Sequence, residues 1–270
     1  MTTQLFDEHG RRIPFKGMRV YNQVSRQYFR TNQPNIDFGE IYNRSAEYMN
    51  LQDMVKFSAE QFANQCQAML EGLQNDSNIA NIANGIQVPF ICPPMPVGIR
   101  RDKELQVFAK AVGKSFEDRF PGHDFRNITQ KQAGMGEDAV VAAGSRYENF
   151  EDARCQGVVV GWYFATCLSE YDIDSQRAQM ASLPPQFVLS GGVEAAAALV
   201  GCPDLLLNKE VYPHHLCLSA LQDPDERFFY SFEAYGLDLR FNRRSNIMTP
   251  TVKQLSEQFA GGLTVFTVCK

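Results

Sequence analysis

The stretch Phe187–Gly201, FVLSGGVEAAAALVG, has residue types and spacing that could do chemistry. A short strand-like run leads through Ser190-Gly191-Gly192 into an alanine-rich segment. Anion-binding turns are built this way, because first-turn amides have no intrahelical partner and the helix dipole adds positive potential. The features of a phosphate loop are incomplete, however. No lysine follows the glycines, no third glycine stands at dinucleotide spacing, and Glu194 puts a negative charge in the first turn. Ser190 also serves simply as an N-cap, with the glycines absorbing an awkward turn. The pattern favours a structural turn, and Ser190, Gly191 and Gly192 hold an anion only if the protein is an enzyme.

The second stretch is Pro213–Ser219, PHHLCLS. Neighbouring residues on a strand point to opposite faces, so His214 and His215 cannot both bind one metal, whereas His215 and Cys217 share a face. A zinc site needs more ligands, and no CxxC or HxxxH spacing supplies them, so we expect neither metal nor cofactor. Either histidine could serve as an acid-base group beside the glycine turn. Cys92, framed by prolines in VPFICPPMPVG, is the thiol best placed for presentation on a loop, although a buried and unreactive Cys92 is the simpler reading. Among the carboxylates, Glu233 alone stands inside an aromatic run, FFYSFEAYG, where enclosure would raise its pKa. If alternate members of that run face outward, Phe228, Tyr230 and Phe232 form an apolar patch for a partner, joined by Tyr28 and Phe29 from the aromatic amino-terminal region.

Bulk properties narrow the classes. The 270 residues carry a net charge of −5, which argues against nucleic-acid or anionic-membrane binding through a basic field. The basic groups Arg11-Arg12, Arg100-Arg101-Lys103 and Arg240-Arg243-Arg244 have acids nearby and read as solvated surface. Seven cysteines, odd in number and scattered, read as reduced thiols in a cytoplasmic protein. The amino terminus lacks an apolar leader, and the longest nearly apolar run, Cys155 to Leu168, is shorter than the ~20 residues of a spanning helix, so no membrane insertion is expected.

These groups must be positioned by recognisable elements. Residues 1–50 read as an aromatic and polar segment wrapping on the body in short strands and turns, with Val20, Tyr28, Phe29, Phe38, Ile41 and Tyr42 as anchors. Residues 51–270 read as a single α+β domain, helix-rich over 51–182 and strand-rich over 187–270. Amphipathic periodicity predicts helices over Leu51–Leu73, with Asn50 as N-cap, and over Asp102–Phe120. Further helices are expected at Glu137–Ala143 and Glu151–Glu170, the latter with Gly157 and Gly161 stripping one face. The four prolines of VPFICPPMPVG predict a stiff polyproline-like connector. After Pro184-Pro185, short β-rich runs follow at 187–189, 204–207, 215–221, 227–235, 237–241 and 263–268, with a hairpin turn in ALQDPDERFF. The expected fold is a helical first two-thirds packed on a mainly antiparallel sheet from the carboxy-terminal third.

No catalytic motif is complete in the chain. The function expected from it is a protein-protein interaction module: an adaptor, chaperone-like or scaffold component of a larger bacterial or phage assembly, binding another protein or a second copy of itself. The alternative is an enzyme acting on a small anionic or phosphorylated substrate.

Overall fold

The computed structural model describes residues 4–14, 29–129, 139–207, 210–245 and 257–269. The fold is α+β, with six α-helices among the described residues and a large, mostly antiparallel sheet. The sheet follows the order β1 (Gln87–Cys92), β4 (Val159–Ser169), β10 (Phe259–Val268), β6 (His215–Cys217), β8 (Phe228–Tyr235), β9 (Asp238–Ser245), β2 (Phe125–Asn127). A short strand, β5 (Val188–Leu189), pairs with β10. Among the described strands, β10 with β6 and β2 with β9 run parallel and the other pairs are antiparallel. A separate pair joins β3 (Val140–Val141) to β7 (Leu221–Gln222).

The helices are α1 (Phe38–Tyr48), α2 (Ala59–Gln74), α3 (Arg101–Arg119), α4 (Tyr147–Gln156), α5 (Ile173–Gln179) and α6 (Val193–Gly201). All nine residues of α6 are buried, with α1, α3, β1 and β4 packed around it. Its four consecutive alanines make that possible, since short side chains on every face let neighbours approach closely, and a helix apolar all round belongs inside.

Several expectations are corrected. The helix predicted from Leu51 begins only at Ala59, because Ser58 and Gln61 form a reciprocal capping box there, while Asn50 takes φ 55° and ends a turn instead. Phe38–Tyr48 is helical, capped by Asp37 accepting from the Glu40 amide, rather than strand and turn. The run from Val159 is a strand, not the second half of a helix. A strand buried on both faces is continuously apolar, which periodicity cannot separate from a buried helix, and its Val, Trp, Tyr and Phe favour the sheet. Gly161 does allow close approach, but to a strand: a Cβ there would stand 2.3 Å from the Val265 carbonyl oxygen. The proline segment divides, since Gln87–Cys92 is strand β1. Pro89 is tolerated because β1 is an edge strand, and Gln33 covers the free side by bonding both the amide and the carbonyl of Gln87.

Residues 140–141 are strand where a helix was expected, and Glu137 and Asp138 lie outside the described residues. Pro203–Leu206 is a 3-10 turn rather than a strand. The tight hairpin falls not in ALQDPDERFF but between β8 and β9, where Tyr235 pairs with Asp238 and Gly236 takes φ 63°. That positive value is what a primed two-residue hairpin demands of its first central residue.

Candidate functional site

The glycine turn is enclosed. Ser190 is buried, its amide donates to the Gly262 carbonyl at 3.0 Å, and its hydroxyl lies 3.3 Å from Thr264 Oγ1. The anion that the turn holds comes from its own chain: Glu194 Oε1 accepts from the Gly191 amide at 2.6 Å, and Glu194 Oε2 accepts from the Tyr147 hydroxyl at 3.0 Å. Burial pushes the Glu194 carboxyl up, against the pull of those donors and of Arg154. The glycines serve packing, since a Cβ on Gly191 would stand 2.3 Å from the Tyr147 ring and one on Gly192 2.7 Å from Leu218. The expectation that Glu194 repels a ligand is thus refined, because its carboxylate takes the Gly191 amide itself.

Cys92 ends β1 and is wholly buried, its thiol 3.9 Å from the Val193 carbonyl. Burial raises its pKa well above the usual thiol value, which suppresses the thiolate. The loop that follows it holds different chemistry. Arg154, also fully buried, donates from Nε to the Pro93 carbonyl at 3.0 Å and from Nη1 and Nη2 to Glu104 at 3.3 and 2.5 Å, while its own carbonyl accepts from the Met95 amide at 3.1 Å. Beyond this anchor the Ile99 amide bonds the Pro96 carbonyl at 3.2 Å and Gly98 takes φ 71°. These are the marks of a type II turn with Val97 at its first central position, and Val97 is fully exposed.

The histidines lie elsewhere. Strand register sets His215 beside Glu233, with Cys217 beside Ser231, on the face of β6 and β8 turned away from Leu216 and Phe232. Glu233 is buried and accepts from Ser231 Oγ at 2.6 Å, from Arg244 Nη2 at 2.6 Å and from Arg244 Nε. These donors hold its carboxyl below the usual carboxylate range despite burial, the reverse of the expected rise. His215 Nδ1 is buried, 3.8 Å from Glu233 Oε1, without a hydrogen bond, and the ring packs against Phe29 and Phe259. Burial lowers the His215 pKa to about 4, outweighing the upward pull of the Glu233 carboxylate, and the nearby Arg244 charge lowers it further. His214 bonds Thr31 Oγ1 through Nδ1 at 3.1 Å, and burial lowers its pKa to about 4 as well.

The partner patch expected on β8 is not open. Tyr230 and Phe232 are buried in the main core, stacked and tilted against Phe241. The alternate residues Phe229, Ser231 and Glu233 are buried too, so neither face of β8 presents an aromatic row. Phe228 is half-buried with the Arg243 guanidinium 3.8 Å above its ring, Phe29 packs on Tyr212 and His215, and Tyr28 lies outside the described residues. Arg243 and Arg244 are committed to Asp223 and Glu233. The sequence reading missed the Arg154–Glu104 pair, whose members stand 50 positions apart and leave no local signal.

No family model, no curated protein and no solved structure matches this chain.

Proposed function

We propose that the protein is a protein-protein interaction module that docks through the loop Pro93–Gly98, and that it works in the cytoplasm. One observation carries the reading: a fully exposed valine stands at the tip of a turn whose stem is fastened from below by a buried guanidinium. A free apolar tip that is already ordered loses little conformational entropy on binding, so most of its burial goes into affinity. The free state of all seven cysteines supports the cytoplasmic reading. The test compares wild type with Val97→Asp for partners recovered from native extract. Loss of a specific partner at unchanged melting temperature supports docking, and an unchanged partner set refutes it.

A second reading is favoured by the His215–Glu233 contact, in which a carboxylate faces Nδ1 of a buried imidazole. In that reading His215 is an acid-base group acting on a small anionic substrate. The Ser190–Gly192 turn does not assist it, its Gly191 amide being occupied by Glu194. Turnover of any phosphorylated or carboxylate substrate that vanishes in His215→Gln would favour this second reading.

A further inference from the structure

Arg146 precedes α4 and fastens the loop that leads into β5. Its Nη1 donates to the carbonyls of Pro184 and Phe187 at 2.6 and 3.2 Å, and its Nη2 to those of Met180 and Leu183 at 2.8 and 2.9 Å. All four acceptors are neutral. Among the described residues no carboxylate forms an ion pair with Arg146, whereas Arg154 and Arg243 lie on Glu104 and Asp223. Its Nε has no partner among the described residues and is not one of the unpaired nitrogens sealed from solvent.

Arg177, on α5, repeats the pattern. Its Nε donates to the Ser219 carbonyl at 2.9 Å and its Nη2 to the Leu221 carbonyl at 3.2 Å, while Nη1 lies 3.8 Å from Asp174 Oδ1, beyond hydrogen-bond length. The Asp174 side chain is 85% exposed, so water screens that contact. Burial lowers the Arg177 pKa against the pull of Asp174 and Glu226, so these carboxylates do not offset the desolvation of the guanidinium. Both arginines line one open cavity of about 560 Å³, within the ~300–1,000 Å³ of small-molecule sites. Ala143 and Gly144, ahead of α4, and Ala178, Met180 and Ala181 give it an apolar wall, and their mostly short side chains leave the space.

We infer that this cavity binds a small monocarboxylic acid with an apolar body, its carboxylate at the Arg146 and Arg177 guanidinium groups and its body on the alanines. An inorganic anion would leave the apolar wall wet, and a neutral apolar molecule would leave Arg146 Nε and Arg177 Nη1 unused. A doubly charged headgroup would meet Asp174 at the same guanidinium. Arg146 is already held by four carbonyls, so a ligand does not have to immobilise its side chain. This site shares no residue with the loop Pro93–Gly98 and stands independently of the docking reading.

The experiment is an NMR titration of the full chain with benzoate, with benzyl alcohol and with inorganic phosphate, at fixed pH and ionic strength, following the backbone amide signals of Gly144, Ala178 and Ala181. Saturable shifts are expected with benzoate. Benzyl alcohol should bind about tenfold or more weaker, the loss expected when a charged hydrogen bond is removed, and phosphate should bind weaker as well for want of apolar contact. Ala178→Leu fills the cavity from an exposed position, so it should weaken benzoate about tenfold or more at unchanged melting temperature. Asp174→Asn removes the carboxylate that competes for Arg177 and should tighten benzoate about two- to fivefold, the range of an exposed ion pair. No saturable response to benzoate, benzyl alcohol or phosphate binding as tightly as benzoate, normal binding in Ala178→Leu, or weaker binding in Asp174→Asn would each overturn the proposal.

Discussion

Glu194 Oε1 lies 2.6 Å from the Gly191 amide nitrogen, so the amino terminus of the buried helix α6 is closed by a carboxylate from its own first turn. Glu194→Ala would leave that amide and the Tyr147 hydroxyl buried without partners, at about 1–3 kcal/mol for each. Chemical denaturation should show a loss near the sum, with Glu194→Gln losing less.

The pH dependence follows from the same group. Burial raises the folded-state pKa of Glu194 above its ordinary 4.5, so the folded chain holds the proton more tightly than the unfolded chain. The associated stability is complete below about 4.5 and is lost as pH rises through the folded value. The advantage of wild type over Glu194→Gln should therefore shrink as pH is raised from 4.5. Denaturation midpoints of both proteins across that range check this, and a widening gap would contradict it.

The histidines act in the opposite direction. Burial lowers His214 and His215 from 6.5 to about 4, so their stability contribution is present above 6.5 and lost as pH falls toward 4. Each full shift corresponds to on the order of 3 kcal/mol. Wild type should lose stability between these limits, and His215→Gln should lose measurably less over the same interval. Parallel curves for the two proteins would exclude His215 as a source of the slope.

Arg154 and Glu104 form a buried pair bridging α4 and α3. Breaking such a pair strands an uncompensated charge, so Arg154→Met should cost about 3–5 kcal/mol, and the double variant Arg154→Met with Glu104→Leu should recover much of it. A denaturant-based double-mutant cycle measures the coupling. Hydrogen exchange at the Met95 amide should accelerate in Arg154→Met, since that amide bonds the Arg154 carbonyl and the same residue fastens Pro93.

The sequence made the helices with one apolar face legible. Over 101–119 the 3.6-residue period alone locates the helix within one residue at each end. Periodicity fails at β4, where both faces are buried and the pattern is continuous. It also places the second helix eight residues early, because Leu51 and Met54 fall in phase while the Ser58–Gln61 capping box sets the true start. The alanine-rich helix after the glycine turn was legible from composition, but its cap was not: Gly192, not Ser190, stands at the N-cap, no side chain caps it, and the Ser190 hydroxyl turns to Thr264. The fate of polar residues was not legible. Arg12, Arg154 and Glu233 stand in stretches that resemble surface or edge, and their burial depends on partners such as Ser182, Glu104 and Arg244 that local sequence does not identify.

The most direct test of the docking account is site-specific photocrosslinking in native extract, with the photoreactive residue placed at Val97 in one protein and at exposed Tyr235, on the β8–β9 hairpin, in another. The account predicts a discrete adduct at Val97 that is absent at Tyr235 and is abolished when Arg154→Met loosens the loop stem. Equal adducts at both positions, or none at Val97 while the fold is intact, would contradict it.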